Sequence, residues 1–301
     1  MAIKEYHTKG KLLISGAYGV LDGAIGFALP TKLGQRFYFE ADTSKNIECK
    51  AVDYTGNTWF EAEIDVKSLA PLKTSSEEVA NTFSKLLIAA RRLNPDFDHS
   101  FTLETTLEFD REWGLGSSST LIAALAQFAS VNAYELLDLG FKGSGYDIAC
   151  ATAEGPIRFQ RISKEVSVTP VNWRPTFADE LHLVYLNQKM NSREAIAHYR
   201  KAQSSDHFLN ELSKLSTAIS EEALDINRFE ELLLEQENLL SSRLGITTIA
   251  DQLFADRPEG IFTSLGAWGG DFALFTGKKN IPYLKDKGYS TILKLKELCI
   301  Y

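Results

Sequence analysis

The chain has 301 residues, of which 44% are hydrophobic and 24% charged, with a formal net charge of −8. That balance supports a buried core and excludes extended disorder. The acidic sign argues against nucleic acid or an anionic membrane as the main partner, since phosphate-rich surfaces attract basic faces, but it leaves room for a local pocket that takes one small phosphorylated molecule.

In chain order, residues 11–15 form a short apolar run, and residues 36–41, 47–53 and 58–65 alternate apolar with polar side chains, the period of a half-buried strand. Residues 77–93 place Val79, Phe83, Leu86, Leu87 and Ala90 on one stripe, which predicts a helix. Alternation returns over residues 101–109. Residues 117–137, rich in Ala and Leu, read as one buried helix, and a glycine loop over 140–145 leads to a short helix at 146–153. Strands are expected at 157–162 and 166–171. Around residues 172–179, which include Trp173 and Pro175, the pattern shifts, so the expected domains are 1–172 and 173–301. Beyond lie a strand at 181–186, helices at 192–203, 206–223 and 228–244, a glycine-rich turn between Ile261 and Phe275, and a strand at 290–295. This mixed order lacks regular β-α-β alternation and predicts an α+β fold.

Cys49, Cys150 and Cys299 are far apart and odd in number, which suggests neither a zinc site nor a disulfide framework. The first ten residues carry Lys4, Glu5 and Lys9 without an apolar core, and no apolar run approaches the roughly 18 residues of a membrane span. The expectation is a reduced, cytoplasmic protein with no membrane partner; monomer and homodimer both stay open.

Four segments carry candidate chemistry. Trp113-Gly114-Leu115-Gly116-Ser117-Ser118-Ser119 joins a strand to a helix. Its two glycines let main-chain amides approach a ligand, and the following helix start can hold an anion. It is not a Walker A loop, because no Lys-Ser/Thr follows at the required spacing. Taken alone, it is equally well a tight turn and a capped helix. Gly143-Ser144-Gly145-Tyr146-Asp147 puts an acid at a helix start, able to cap the helix or to accept a proton from a substrate hydroxyl. Ser264-Leu265-Gly266-Ala267-Trp268-Gly269-Gly270-Asp271 is either a plain turn or the wall of a substrate pocket. Lys11, at the head of an apolar strand, can neutralise phosphate charge or lie solvated. Arg158 and Arg161 follow on a strand and are candidates to grip a phosphate.

Together these segments resemble the motifs of the GHMP kinase superfamily in their order and approximate spacing. Gly114-Leu115-Gly116-Ser117-Ser118 is similar to that family's ATP loop, residues 10–18 to its first motif and residues 266–271 to its third. Gly16-Ala17-Tyr18-Gly19-Val20-Leu21-Asp22 and Gly143-Ser144-Gly145-Tyr146-Asp147-Ile148-Ala149 look most like the phosphomevalonate kinase branch, and Gly145 to Ala149 spell the letters of the GYDIA subgroup. The sequence departs from the family at Lys9, Ala17, Trp268 and Phe272, and it has only loose candidates, Glu135 and Asp138, for an acidic metal ligand.

The resemblance implies a two-domain α+β fold, with an N-terminal domain of the ribosomal-protein-S5 type and a ferredoxin-like helical C-terminal domain. It also implies ATP with Mg²⁺ as cofactors. Gly114, Leu115, Gly116, Ser117, Ser118 and Ser119 would hold the nucleotide, with Ser118 reaching the metal; Asp147 and Lys11 would be catalytic. Ser144, Tyr18, Ser192, Arg193, Gly269 and Asp271 would bind a small-molecule acceptor. Phosphomevalonate or a related intermediate is the expected acceptor. The alternatives are a mevalonate kinase, a diphosphomevalonate decarboxylase, or a non-catalytic ligand-binding protein of the same fold.

Overall fold

The computed structural model describes residues 3–41, 46–141, 143–188, 192–201, 205–221, 224–266 and 270–301. Its strands are β1 (Ile3–Ser15), β2 (Gly26–Ala41), β3 (Asn46–Val52), β4 (Thr58–Asp65), β5 (Pro71–Thr74), β6 (Phe101–Leu107), β7 (Ile157–Ile162), β8 (Glu165–Pro170), β9 (His182–Tyr185), β10 (Phe262–Ser264), β11 (Phe272–Phe275) and β12 (Ile292–Lys294). Its helices are α1 (Glu77–Leu93), α2 (Ser117–Phe128), α3 (Ala133–Gly140), α4 (Tyr146–Thr152), α5 (Ser192–Lys201), α6 (Asp206–Ile219), α7 (Ile226–Leu244), α8 (Ile249–Leu253), α9 (Asn280–Asp286) and α10 (Leu295–Leu298). Among the described residues no helix is long and apolar enough to cross a membrane. Two compact units result, each gathered from separate stretches: residues up to 10, 33–111 and 115–152 form the first, and residues 11–32, 112–114 and 153–301 the second.

In the first unit the strand order is β5-β4-β3-β6-β2. β3 lies parallel to β6, and the other pairings along this path are antiparallel. The connection from β3 to β6 runs through β4, β5 and α1, the crossover a parallel pair requires. Strict alternation sets one face: Ile47, Cys49 and Ala51 of β3 and Phe101, Leu103 and Thr105 of β6 are buried, while Glu48 and Lys50 are exposed. Helices cover the buried face, with Phe83, Leu86 and Leu87 of α1, Ile122, Leu125 and Phe128 of α2 and Leu136 of α3 in the same core. Phe128 stacks on Phe39 at 4.1 Å between ring centroids. Burying each such side chain stabilises the fold by about 1.5–3 kcal/mol.

The helix expected over 117–137 is two helices, α2 and α3. Ser130 turns the chain into the left-handed region at φ 55°. Asn132 then caps α3, its side chain accepting from the amides of Tyr134 and Glu135, so local hydrogen bonding overrides an apolar run.

In the second unit residues 26–28 of β2 pair with β7, and β7 with β8. A separate antiparallel sheet has the order β10-β11-β9-β12. Its buried side chains Val184, Phe262, Ala273 and Phe275 share a core with Ile249, Phe254 and Leu284. Ser205 and Asp225 cap α6 and α7 through side-chain oxygens, and Gly245 ends α7 in the left-handed conformation, the residue that tolerates it best. Trp173, 1% exposed, packs edge-on against Phe27 and Tyr301 and tilts against Phe229.

Candidate functional site

The segment before α2 has the backbone its glycines permit: φ is +64° at Gly114 and +93° at Gly116. Leu115 between them is 1% exposed and anchors the loop in the core. Gly116 occupies the N-cap position without a side-chain cap, and its carbonyl accepts from the amides of Ser119 at 2.9 Å and Thr120 at 3.0 Å. Among the described residues nothing accepts from the amides of Ser117 and Ser118. Unsatisfied first-turn amides and the positive end of the helix dipole favour an anion there. The Ser118 side chain is exposed, Ser117 is half-buried, and Ser119 is buried.

Ser119 Oγ donates to Asp147 Oδ2. Asp147 stands in the first turn of α4, half-buried, and its Oδ1 accepts from the Ile148 amide at 3.2 Å. The loop before it is tightly set. Ser144 is 7% exposed, and a β-carbon on Gly145, at φ +92°, would come within 2.9 Å of the Tyr134 ring. The first unit therefore brings together the helix entrance at residues 116–119 and the acid at 147, which lie 28 positions apart from Ser119 in sequence.

The second unit brings together Gly114 and Asp271. A β-carbon on Gly114 would lie 2.1 Å from Asp271 Oδ2 and 2.2 Å from its Cγ, so only glycine leaves room for that carboxylate. Asp271 itself has φ +54°; its amide donates to the Gln188 carbonyl at 2.8 Å, and its carbonyl accepts from the Leu186 amide at 2.8 Å. Next to it, Phe272 meets Trp113 edge to face at 5.6 Å. The two segments flanking this contact are thus fixed by a steric fit and by an aromatic pair.

The first motif is held differently. Tyr18 adopts φ +60°, is 8% exposed, and stacks on Tyr199 of α5 at 5.3 Å. The Tyr199 hydroxyl donates to Asp22 Oδ2 at 2.7 Å, and Arg200 donates to Asp22 Oδ1. Helix α5 is thereby tied to the turn that follows Tyr18. Ser192 and Arg193 are its first residues, and their side chains lie outside the described set. Gly269 also lies outside the described residues. Lys11 is half-buried on β1.

Arg158 and Arg161 do not form a joint phosphate grip. β7 is regular from Ile157 to Ile162, and residues three apart on a strand point to opposite faces. Glu135 and Asp138 are exposed on α3. Among the described residues no group of three His, Cys, Asp or Glu is placed to hold a metal. Tyr199 of α5 and Gln236 of α7, whose side chain accepts from the Gly16 amide at 2.9 Å, both hold the first motif yet carry no sequence signal, because each reads as an ordinary residue of an amphipathic helix.

No family model and no curated protein matches the sequence. Solved structures match along nearly the whole chain. A Lin0012 protein from Listeria innocua gives a TM-score of 0.70 at 16% identity, covering 96% of each chain. The phosphomevalonate kinase of Streptococcus pneumoniae, in complex with phosphomevalonate and AMPPNP, gives 0.67 at 18% identity, covering 98% of this chain and 100% of that one. The galactokinase of Lactococcus lactis, complexed with galactose, gives 0.67 at 16% identity, covering 99% and 93%. The chain has the two-domain α+β fold of the GHMP kinases, as its motifs imply.

Proposed function

We propose that this chain is an ATP-dependent small-molecule kinase of the GHMP type, acting on phosphomevalonate or a related mevalonate-pathway intermediate. One observation carries the reading: a glycine-bracketed helix entrance with two open amides adjoins a serine that binds the carboxylate of Asp147. Folds host many chemistries, and it is that constellation of residues that points to phosphoryl transfer. Among the neighbours, one is described with phosphomevalonate and an ATP analogue, which favours this acceptor class.

The residues present fit a nucleotide. The amides of Ser117 and Ser118 face no internal acceptor among the described residues, and Gly116, at φ +93°, carries no β-carbon to block a phosphate. A magnesium bound with ATP takes mostly phosphate oxygens and water, with few protein ligands, which suits the single exposed hydroxyl of Ser118. Bound Mg-ATP supplies the transferable phosphoryl group and neutralises charge on it.

The chain's own groups position and balance. In the transfer an acceptor oxygen forms a bond to the γ-phosphorus as the bond to the bridging oxygen breaks, releasing ADP. With a hydroxyl acceptor, Asp147 takes its proton; with a phosphate acceptor, already ionised, Asp147 orients rather than deprotonates. Ser119 holds that carboxylate in one orientation, and Lys11 adds positive charge. Ser144, Tyr18, Ser192, Arg193, Gly269 and Asp271 are proposed to shape the acceptor's surroundings.

The test is ADP release from Mg-ATP with phosphomevalonate, mevalonate, diphosphomevalonate and galactose offered in turn. The reading predicts turnover with a mevalonate-pathway acceptor. Turnover with galactose alone would move the acceptor class, carbon dioxide release would indicate the decarboxylase alternative, and no ADP with any acceptor would contradict the kinase reading.

A further inference from the structure

Gln236 and Glu237 sit side by side in the middle of α7, each 2% exposed. Neighbouring helix positions point about 100° apart, so the two side chains reach different parts of the second unit. Gln236 Oε1 accepts from the Gly16 amide at 2.9 Å and from the Ser15 hydroxyl, while its Nε2 donates to the Ile14 carbonyl at 3.3 Å. Ser15 Oγ lies 2.7 Å from Ser216 Oγ on α6. Glu237 Oε2 accepts from the Ser264 amide at 3.1 Å; its Oε1 accepts from the Ile249 amide at 3.2 Å and from the Ser264 hydroxyl at 3.4 Å.

The contacted residues are Ile14 to Gly16, within the first glycine-rich motif, and Ser264, which heads the third. Gly16, at φ +91°, opens the turn to Tyr18; a β-carbon on it would fall 2.6 Å from Gly26 Cα and from the Ile25 carbonyl oxygen. Ser264 ends β10, two residues before Gly266 and seven before Asp271. Two consecutive residues of one helix therefore hold Ile14 to Gly16 on one side and Ser264 on the other.

We propose that Gln236 and Glu237 are positioning residues that fix the first and third glycine-rich segments relative to one another and thereby set acceptor binding; the proposal rests on the kinase reading above. The donor pattern explains the residue types. Gln236 meets one amide, one hydroxyl and one carbonyl, so it must both accept and donate, as a side-chain amide does. Glu237 meets three donors and must present two accepting oxygens, as a carboxylate does. The pair is not interchangeable, although Gln and Glu have nearly equal helix propensity and volume.

The test is the exchange Gln236→Glu with Glu237→Gln in the full chain, which preserves composition and net charge. It sets a carboxylate against the Ile14 carbonyl and an NH₂ group against backbone donors. The expected result at pH 8 is an acceptor KM at least tenfold higher, an ATP KM within threefold of wild type, and faster amide hydrogen exchange in residues 14–20 and 262–266 together. Each single variant is expected to loosen only its own segment and to raise the acceptor KM less. Unchanged acceptor KM in a folded double variant would overturn the proposal, as would an equal rise in both KM values. If the double variant does not fold, Ser264→Ala, which removes one hydroxyl bond and leaves the Ser264 amide on Glu237, is expected to raise the acceptor KM about threefold; no rise overturns the proposal. If the wild type turns over no acceptor, the kinase reading fails by itself. Hydrogen exchange then decides the positioning claim: unchanged exchange in either segment of the double variant overturns it.

Discussion

Ser119 and Asp147 make the smallest unit with consequences. A hydroxyl on the first turn of one helix holds a carboxylate on the first turn of another, and with Oδ1 accepting from the Ile148 amide the acid has one orientation. Replacing Asp147 with Asn preserves size but removes both the charge and the base. The expected outcome is a turnover lower by about 10²–10⁴, the range for a positioned acid or base, with thermal unfolding close to wild type. Near-normal turnover in a folded Asp147→Asn protein would remove it from the reaction. Gly114 makes a second single-residue case. Alanine there must adopt φ +64° and meet the Asp271 carboxylate. The left-handed conformation alone costs roughly 1–2 kcal/mol, so Gly114→Ala is expected to lower unfolding stability by at least that amount in urea titrations. Unchanged stability would mean that Asp271 does not pack on Gly114.

At the scale of elements, the sequence was most legible where periodicity ran long. Residues 58–65, 77–93 and 157–162 coincide with β4, α1 and β7 end to end, because each has one face in a core and one in water. Short elements escaped: β5, α8, α9 and α10 have four, five, seven and four residues, too few for a period to declare itself. The first part of β2 showed no alternation because residues 26–31 are all buried. The break between α2 and α3 hinged on one left-handed serine and one capping asparagine. The glycine segments were visible as segments, but their contacts were not. Nothing in the letters pairs Gly114 with Asp271, or Tyr18 with Tyr199, since those contacts join positions more than 150 residues apart.

At the scale of the whole molecule, two compact units are woven from alternating stretches of chain, and the stability of the second unit contains a buried acid. Burial raises Glu237 to a pKa of about 7, against the lowering effect of the Ile249 and Ser264 hydrogen bonds. In the unfolded chain this group titrates near the ordinary carboxylate value. Between those two values the native state holds a proton that the unfolded state has released, so unfolding free energy falls as pH rises. The contribution is complete below the unfolded pKa and lost as pH passes through about 7; a shift of this size corresponds to at most about 3 kcal/mol. Urea unfolding at pH 5 and pH 8 should show a larger loss of stability for wild type than for Glu237→Gln. Equal losses in the two proteins would contradict the burial effect.

Phosphoryl transfer by this chain requires above all a triphosphate resting at the entrance to α2. Calorimetric titration of Mg-ATP into the wild type and into Ser118→Ala measures this directly, because Ser118 is exposed there and bears no load in the core. The prediction is saturable binding to the wild type and affinity weakened by about tenfold in the variant, equivalent to roughly 1.4 kcal/mol, with thermal unfolding unaltered. Absence of nucleotide binding, or identical affinities for the two proteins, would contradict it.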